Sequence, residues 1–209
     1  KLLEKYKTSV FLPKMMGEKP YKTLWEPLLV KKFGPFVHDI SLAWFWARIV
    51  KRTPYLAYPK GGFLKLANAI TSTIRKKGGE VLFNTGVKKI TIQKNERVKI
   101  DRLLFDKVIV TLPSYLFVQI TPQLPEKYKR KLLSLNGLGA INLVLRLKKP
   151  FFQDKTYWLN ICDARFPLTA IVEHTNFMKK KYYNNEHLVY LGNYLPHDHP
   201  FMQMDKKDL

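Results

Sequence analysis

The hydrophobic period of this chain changes at one point, and that change limits the folds open to it. Before Lys77, Leu64, Ala67, Thr71 and Ile74 recur at intervals of three and four, the spacing of one helix face. From Val81 onward the period is two, the spacing of strands. Gly78 and Gly79 stand at the join, in the run R-K-K-G-G-E-V-L-F-N-T-G-V from Arg75 to Val87. A phosphate cradle needs glycines before a helix N-terminus, where N–H groups point outward. Here they follow a C-terminus, where Arg75, Lys76 and Lys77 suit the negative end of the helix dipole. Gly78 therefore reads as a left-handed C-cap, and the pair as a helix stop.

On the N-terminal side, residues 21–34 place Leu24, Trp25 and Leu28 on a helical stripe, with Pro27 in the first turn and Gly34 as the stop. A second helix follows, capped by Asp39 or Ser41 and ended by Thr53-Pro54. Its residues Trp44 and Trp46 lie ~200° apart around the axis. Both cannot face one narrow core, so one of them is expected to line a cavity or meet another domain; two core tryptophans in a well-covered helix is the competing reading.

On the C-terminal side, Val81–Phe83, Val87–Gln93, Val98–Ile100 and Lys107–Thr111 read as strands of a meander. Val108-Ile109-Val110 is a β-branched run of the kind that is buried on both faces of an α/β sheet. A helix over 125–134 separates these from a second strand block: Ala140–Leu147, Tyr157–Cys162, Thr169–His174 and His187–Tyr194. Longer loops join these strands, which predicts a mostly antiparallel sheet with flanking helices, an α+β fold.

Charge narrows the partners. The 209 residues hold 37 Lys and Arg against 16 Asp and Glu, a net +21. Such a field favours anionic partners and weakens with salt. The lysines are spread along the chain and seldom interleave with the Arg, Gly and aromatic patterns of nucleic-acid modules, so no specific nucleic-acid partner is expected. Cys162 is the only cysteine, which excludes an intrachain disulfide and any multi-thiolate zinc site. No apolar run approaches the ~20 residues of a membrane span. The expectation is a cytoplasmic chain with peripheral contact at the inner face of the membrane. Lys1 in place of an initiator methionine, and Asp205 capping barely one turn, read as an internal stretch of a longer protein.

The self-contained signatures of nucleotide hydrolysis, serine hydrolysis and thiol redox chemistry are absent. Gly137-Leu138-Gly139-Ala140 lacks the third glycine of a dinucleotide fingerprint and precedes a strand. His197 and His199 in H-D-H-P sit in a Pro-bounded turn without further ligands at diagnostic spacing. Two runs are more informative: Y-W-L-N, Tyr157 to Asn160, and E-H-T-N, Glu173 to Asn176. Each interleaves aromatic and polar side chains on a strand, as the wall of an apolar pocket with a few orienting groups does. An ordinary sheet with a wet polar face has the same periodicity. Alternation separates Tyr157, Leu159 and Ile161 from Trp158, Asn160 and Cys162, and only one set is expected to line the cavity; an indole wall beside an amide favours Trp158 and Asn160.

The succession W-E-P-L-L-V-K-K-F-G, S-L-A-W-F-W-A-R, K-G-G-F-L-K-L-A-N-A-I, K-K-G-G-E-V-L-F-N-T-G-V-K-K-I and D-K-V-I-V-T-L-P, continued by Y-W-L-N-I, V-E-H-T-N-F and V-Y-L-G-N-Y, resembles the flavin-containing amine oxidase superfamily. Within it the chain is most similar to the branch of protoporphyrinogen oxidase-like and phytoene desaturase-like proteins. The resemblance implies an FAD-dependent oxidoreductase acting on a hydrophobic small molecule by hydride transfer to flavin. It implies that residues 1–80 form the helical part of a substrate domain, 81–115 a β-meander piece of an FAD-binding α/β domain, and 116–209 the sheet part of the substrate domain. It places Val87, Thr111 and Pro113 at the cofactor, with the Val87 backbone on the adenine. The substrate-lining set is then Trp44, Trp46, Tyr157, Trp158, Asn160, Glu173, His174, Asn176 and Tyr190; no acid or base is assigned.

The pyrophosphate-binding G-x-G-x-x-G strand of that superfamily does not occur in these residues. The resemblance therefore implies that the stretch alone does not hold FAD and that its partners are the remaining FAD-domain segments of its own parent chain. Two alternatives stand beside it: a flavin-dependent nucleotide-sugar mutase, and a basic non-enzymatic protein binding nucleic acid or a membrane surface.

Overall fold

The computed structural model describes residues 2–135, 137–205 and 207–208. Helices come first: α1 (Thr8–Met16), α2 (Glu18–Pro20), α3 (Glu26–Phe33), α4 (Leu42–Val50) and α5 (Gly62–Lys76). A meander follows, β1 (Ile90–Ile92), β2 (Val98–Ile100) and β3 (Leu103–Phe105), then α6 (Ser114–Ile120) and α7 (Glu126–Leu133). The chain ends with β4 (Gly139–Leu147), β5 (Trp158–Asn160), β6 (Ala170–Glu173), β7 (His187–Leu195) and α8 (Pro200–Gln203). This is the α+β fold expected from the change of period. Two compact units divide it: residues 1–66 with 138–209, and residues 67–137. Among the described residues no helix is long and apolar enough to cross a membrane.

In the first unit, the helices close on a core of Leu12, Tyr21, Leu29, Val37, Leu42 and Phe45. Aromatic edges tighten it: Trp25 meets Phe45 at 4.9 Å between centroids, and Phe33 meets Trp44 at 4.8 Å, both near perpendicular. Of the two caps left open by the sequence, Ser41 is the one used, its Oγ accepting from Trp44 N at 3.4 Å. Thr8, fully buried, donates its hydroxyl to Ser41 O at 2.9 Å and joins α1 to that cap. Between α2 and α3 the helix widens into a π turn, Tyr21–Trp25. The widening falls just before Pro27, which has no N–H to give the ladder.

The sheet of this unit runs β4-β7-β6-β5 with every neighbour antiparallel. Its register aligns Val144, Tyr190, Val172 and Trp158 in one row. The next row is Asn142, Gly192, Ala170 and Asn160. Side chains two apart on a strand share a face, so both rows lie on the same side. The strands stop one or two residues short of several expected bounds.

The second unit contains the antiparallel meander β1-β2-β3. Asp101, at φ +50°, turns β2 into β3, and its carboxylate accepts from Lys88 N and Lys89 N. The helix stop is a Schellman motif: Gly78 at φ +81° donates to Arg75 O, and Gly79 donates to Ile74 O, each at 3.0 Å. A Cβ on Gly79 would sit 2.7 Å from Ile74 Cγ2, so both glycines are needed.

Two strands expected here do not form. Residues 81–83 and 107–111 have no ladder partner among the described residues, and Ile109 is 91% exposed rather than buried on both faces. A β-branched run is extended by preference but becomes a strand only when a neighbour pairs with it. The short helix α6 was not signalled by its sequence S-Y-L-F-V-Q-I, which has no helical polar face.

Candidate functional site

A cavity of about 960 Å³ lies in the first unit between one face of the sheet and the helices α3 and α4. The sheet supplies both rows described above, through Asn142, Trp158, Asn160, Ala170, Val172, Tyr190 and Gly192. Trp25, Leu28, Leu29, Trp44, Phe45 and Ile49 face them from the helices. The volume and the aromatic lining suit a drug-sized apolar ligand.

Of the nine residues expected to line a substrate pocket, six border this cavity: Trp44, Tyr157, Trp158, Asn160, His174 and Tyr190. Trp158 Nε1 donates to Asn160 Oδ1 at 2.8 Å, which fixes the amide on the sheet face and leaves its NH2 group to other acceptors. The other three are elsewhere. Trp46 is 42% exposed, with Lys51 Nζ 5.6 Å from its ring centroid. Asn176 donates to Thr156 O at 2.9 Å, bracing the approach to β5.

Glu173, fully buried, points to the opposite side of β6 from Val172. Its carboxylate accepts from Phe151 N at 3.2 Å, Phe152 N at 2.7 Å and His187 Nδ1 at 3.2 Å. It is a staple holding the loop after β4 against the sheet. The sequence pattern E-H-T-N could not distinguish these neighbours, because one alternation step reverses the face.

At one end of the cavity His174 is surrounded by tyrosines. Its ring lies 4.9 Å from Tyr58, 5.2 Å from Tyr183 and 5.7 Å from Tyr190, and its Nε2 is 2.7 Å from Tyr183 Oη. Burial holds the His174 pKa below the ordinary value, favouring the neutral ring. Burial, then the nearby Tyr58, pushes the Tyr183 and Tyr190 hydroxyls up. This end is thus uncharged and rich in hydrogen-bonding groups.

The sequence reading missed four cations that also border the cavity, Lys31, Lys32, Arg48 and Arg52, of which Lys32 stands at the end opposite His174. The Lys32 stem is partly buried, and its ammonium stands 5.1 Å from the Tyr194 ring centroid and 5.9 Å from that of Phe33. Burial, and next the like charge of Arg48, hold its pKa below the usual lysine value. Spacing was the available signal, since Arg48 follows Trp44 by four residues and Lys32 follows Leu28 by four.

The three residues expected at a cofactor all belong to the second unit. Val87 lies in extended chain before β1, 39% exposed, and its N–H and C=O have no hydrogen-bond partner among the described residues. Gly86 beside it has open space where a Cβ would stand. A free backbone donor and acceptor with clear approach fit the edge of an adenine ring. Thr111 is exposed, and Pro113 occupies the N-cap of α6. Among the described residues no cluster of His, Cys, Asp or Glu is arranged to hold a metal ion.

Comparison with known proteins agrees with this architecture. A protein from Exiguobacterium sp. 255-15, provisionally named a protoporphyrinogen oxidase, superposes with a TM-score of 0.69 at 15% identity, over 95% of this chain and 48% of its own. An oxidoreductase from Methanosarcina mazei superposes with a TM-score of 0.68 at 16% identity, over 90% of this chain and 47% of its own. At such identities the likeness is one of fold, and the chain spans about half the length of these solved structures. No curated protein sequence matches it. The sequence model of the flavin-containing amine oxidoreductases does match, over residues 7–209, and the chain belongs to that family.

Proposed function

We propose that this chain carries the substrate chamber of an FAD-dependent oxidoreductase that oxidises a hydrophobic small molecule by hydride transfer to the flavin. The observation that carries the reading is the aromatic-walled cavity of about 960 Å³ on the sheet face, in a chain of this family. When bound, FAD supplies the two-electron acceptor. The chain's own residues bind, orient and exclude water. Trp25, Trp44 and Trp158 give flat apolar walls, and the Asn160 amide, held by the Trp158 indole, orients a polar group of the ligand. His174, kept neutral by burial, offers a hydrogen bond without a charge. The free backbone of Val87 would hold the adenine, with Thr111 and Pro113 on the same unit.

The test is direct. The protein expressed from its native gene is expected to show visible flavin absorbance, and a substrate that enters the chamber is expected to bleach it without oxygen. Protein that folds and carries no flavin, with none taken up from added FAD, would refute the proposal.

A further inference from the structure

The cavity is walled by aromatic and aliphatic groups, yet its charged side chains are all of one sign. Lys31, Lys32, Arg48 and Arg52 line it, and among the described residues no carboxylate does. Among the described residues none of the four forms an ion pair. Lys31 Nζ is taken by a neutral acceptor, Phe166 O, at 2.5 Å. Asp163, whose carboxylate feels the charge of Lys31, is engaged by Arg165. Lys32 is not a freely solvated side chain, because its ammonium is held over the Tyr194 and Phe33 rings with Arg48 close by. Two cations kept together at an apolar wall without a counter-ion form a receptor for an oxyanion.

The sheet fixes the distance from this receptor to the uncharged end. Lys32 stands on Tyr194 and His174 on Tyr190, four residues apart on β7. Extended chain rises ~3.3 Å per residue, which separates the two ends by about 13 Å. Between them the register places Gly192, opposite Asn142 and Ala170, so no long side chain rises from the floor there and the Asn142 amide oxygen lies beside the glycine.

We propose that the cavity binds an elongated apolar molecule about 13 Å long, bearing a carboxylate or phosphate at its Lys32 and Arg48 end and no charge at its His174 and Tyr190 end. This rests on the reading of the cavity as the substrate chamber. A protonated amine is disfavoured as a ligand, because a cation entering here meets four like charges and, among the described residues, no acid.

The test is a set of matched probes titrated into the chain, followed by tryptophan fluorescence and calorimetry at low salt. The probes are para-biphenylcarboxylate, para-biphenylmethanol and para-biphenylmethylammonium. The carboxylate is expected to bind roughly tenfold tighter than the alcohol, and the ammonium weakest, with the preference shrinking as salt rises. Para-biphenylyl phosphate ranks the two oxyanions against each other. Lys32→Glu is expected to abolish the preference for the acid, and Arg48→Glu serves if that variant does not fold.

Equal binding of all three probes, tightest binding of the ammonium, or no binding of any by folded chain would overturn the proposal. So would uridine diphosphate binding as tightly as the biphenyl acid, since charge without an apolar body would then suffice. None of these titrations involves flavin. A flat ranking in a protein that carries flavin sinks the anion assignment alone, whereas absence of flavin sinks the redox reading and leaves the ranking standing.

Discussion

Replacing Glu173 by glutamine changes one oxygen to NH2 and leaves the shape of the side chain intact. The structure makes that exchange costly. In the native protein both carboxylate oxygens accept, one from Phe152 N at 2.7 Å and the other from Phe151 N and His187 Nδ1, each at 3.2 Å. The side chain is wholly buried, so water cannot replace a lost partner. An amide keeps one acceptor and turns a donor toward the remaining N–H. A buried N–H left unpaired costs ~1–3 kcal/mol, and the bonds to a charged acceptor that are lost are among the stronger ones. We expect Glu173→Gln to destabilise by ~2–3 kcal/mol, which for a chain of this size lowers Tm by about 5–10 °C. Differential scanning fluorimetry and urea unfolding measure it. Affinity for para-biphenylcarboxylate, taken well below the melting range, should be unchanged because Glu173 points away from the cavity. A Tm within about 2 °C of wild type, a shift smaller than 1 kcal/mol produces at this size, would refute the staple. Loss of probe binding without loss of stability would return Glu173 to the substrate wall.

Two further outcomes follow from the geometry. Gly78→Ala should cost ~1–2 kcal/mol, read from the urea midpoint, because an L side chain is strained at φ +81°; an unchanged midpoint would contradict the cap. His174 sets a pH dependence: its folded pKa is lowered, so above about pH 6.5 the ring is neutral in both states and the shift contributes nothing. As pH falls below that, the unfolded ring takes a proton that the folded ring resists, and stability declines. His174→Gln should flatten this decline as pH falls below about 6.5, and equal slopes for the two proteins would refute it.

The helix stop at Gly78-Gly79 was legible in sequence because three independent signals coincide there: the end of a helical period, a basic last turn and paired glycines. The four strands of the larger sheet were legible for a similar reason, since alternation and turn residues agree in each. That Trp158 and Asn160 share a face follows from period two, and both border the cavity; Tyr157 and Ile161, from the other alternation set, border it as well, because the chain leaves the strand on either side of the short β5. Trp46, Glu173 and Asn176 lie away from the cavity for a reason that alternation does not carry. Period fixes which residues share a face but not which face a neighbouring element covers, and that depends on contacts such as Lys31 with Phe166. The run Val108–Val110 stays unpaired among the described residues because strand propensity is realised only where a ladder partner exists. The cations of the cavity were hidden by their type. Lysine and arginine on a helix usually mean a wet face, and only their register with Trp44 and Leu28 marks these as wall residues.

The larger unit is assembled from residues 1–66 and 138–209, with the second unit inserted between them in the chain. Lys31 reaches across 135 positions of sequence to Phe166, and Thr169 lies near the same turn of α3. During synthesis, then, the helices that carry Trp25 and Trp44 leave the ribosome before β4–β7, and the chamber exists only once those strands arrive. Residues 67–137 meet no such delay, since the contacts within that unit are nearer in sequence. Closing the long loop is a barrier to rate more than to stability, because each doubling of loop length costs only ~0.6 kcal/mol. The wait leaves the cavity side of these helices without its sheet for that time, and the slow growth of loop cost lets the inserted segment vary in length at little thermodynamic penalty.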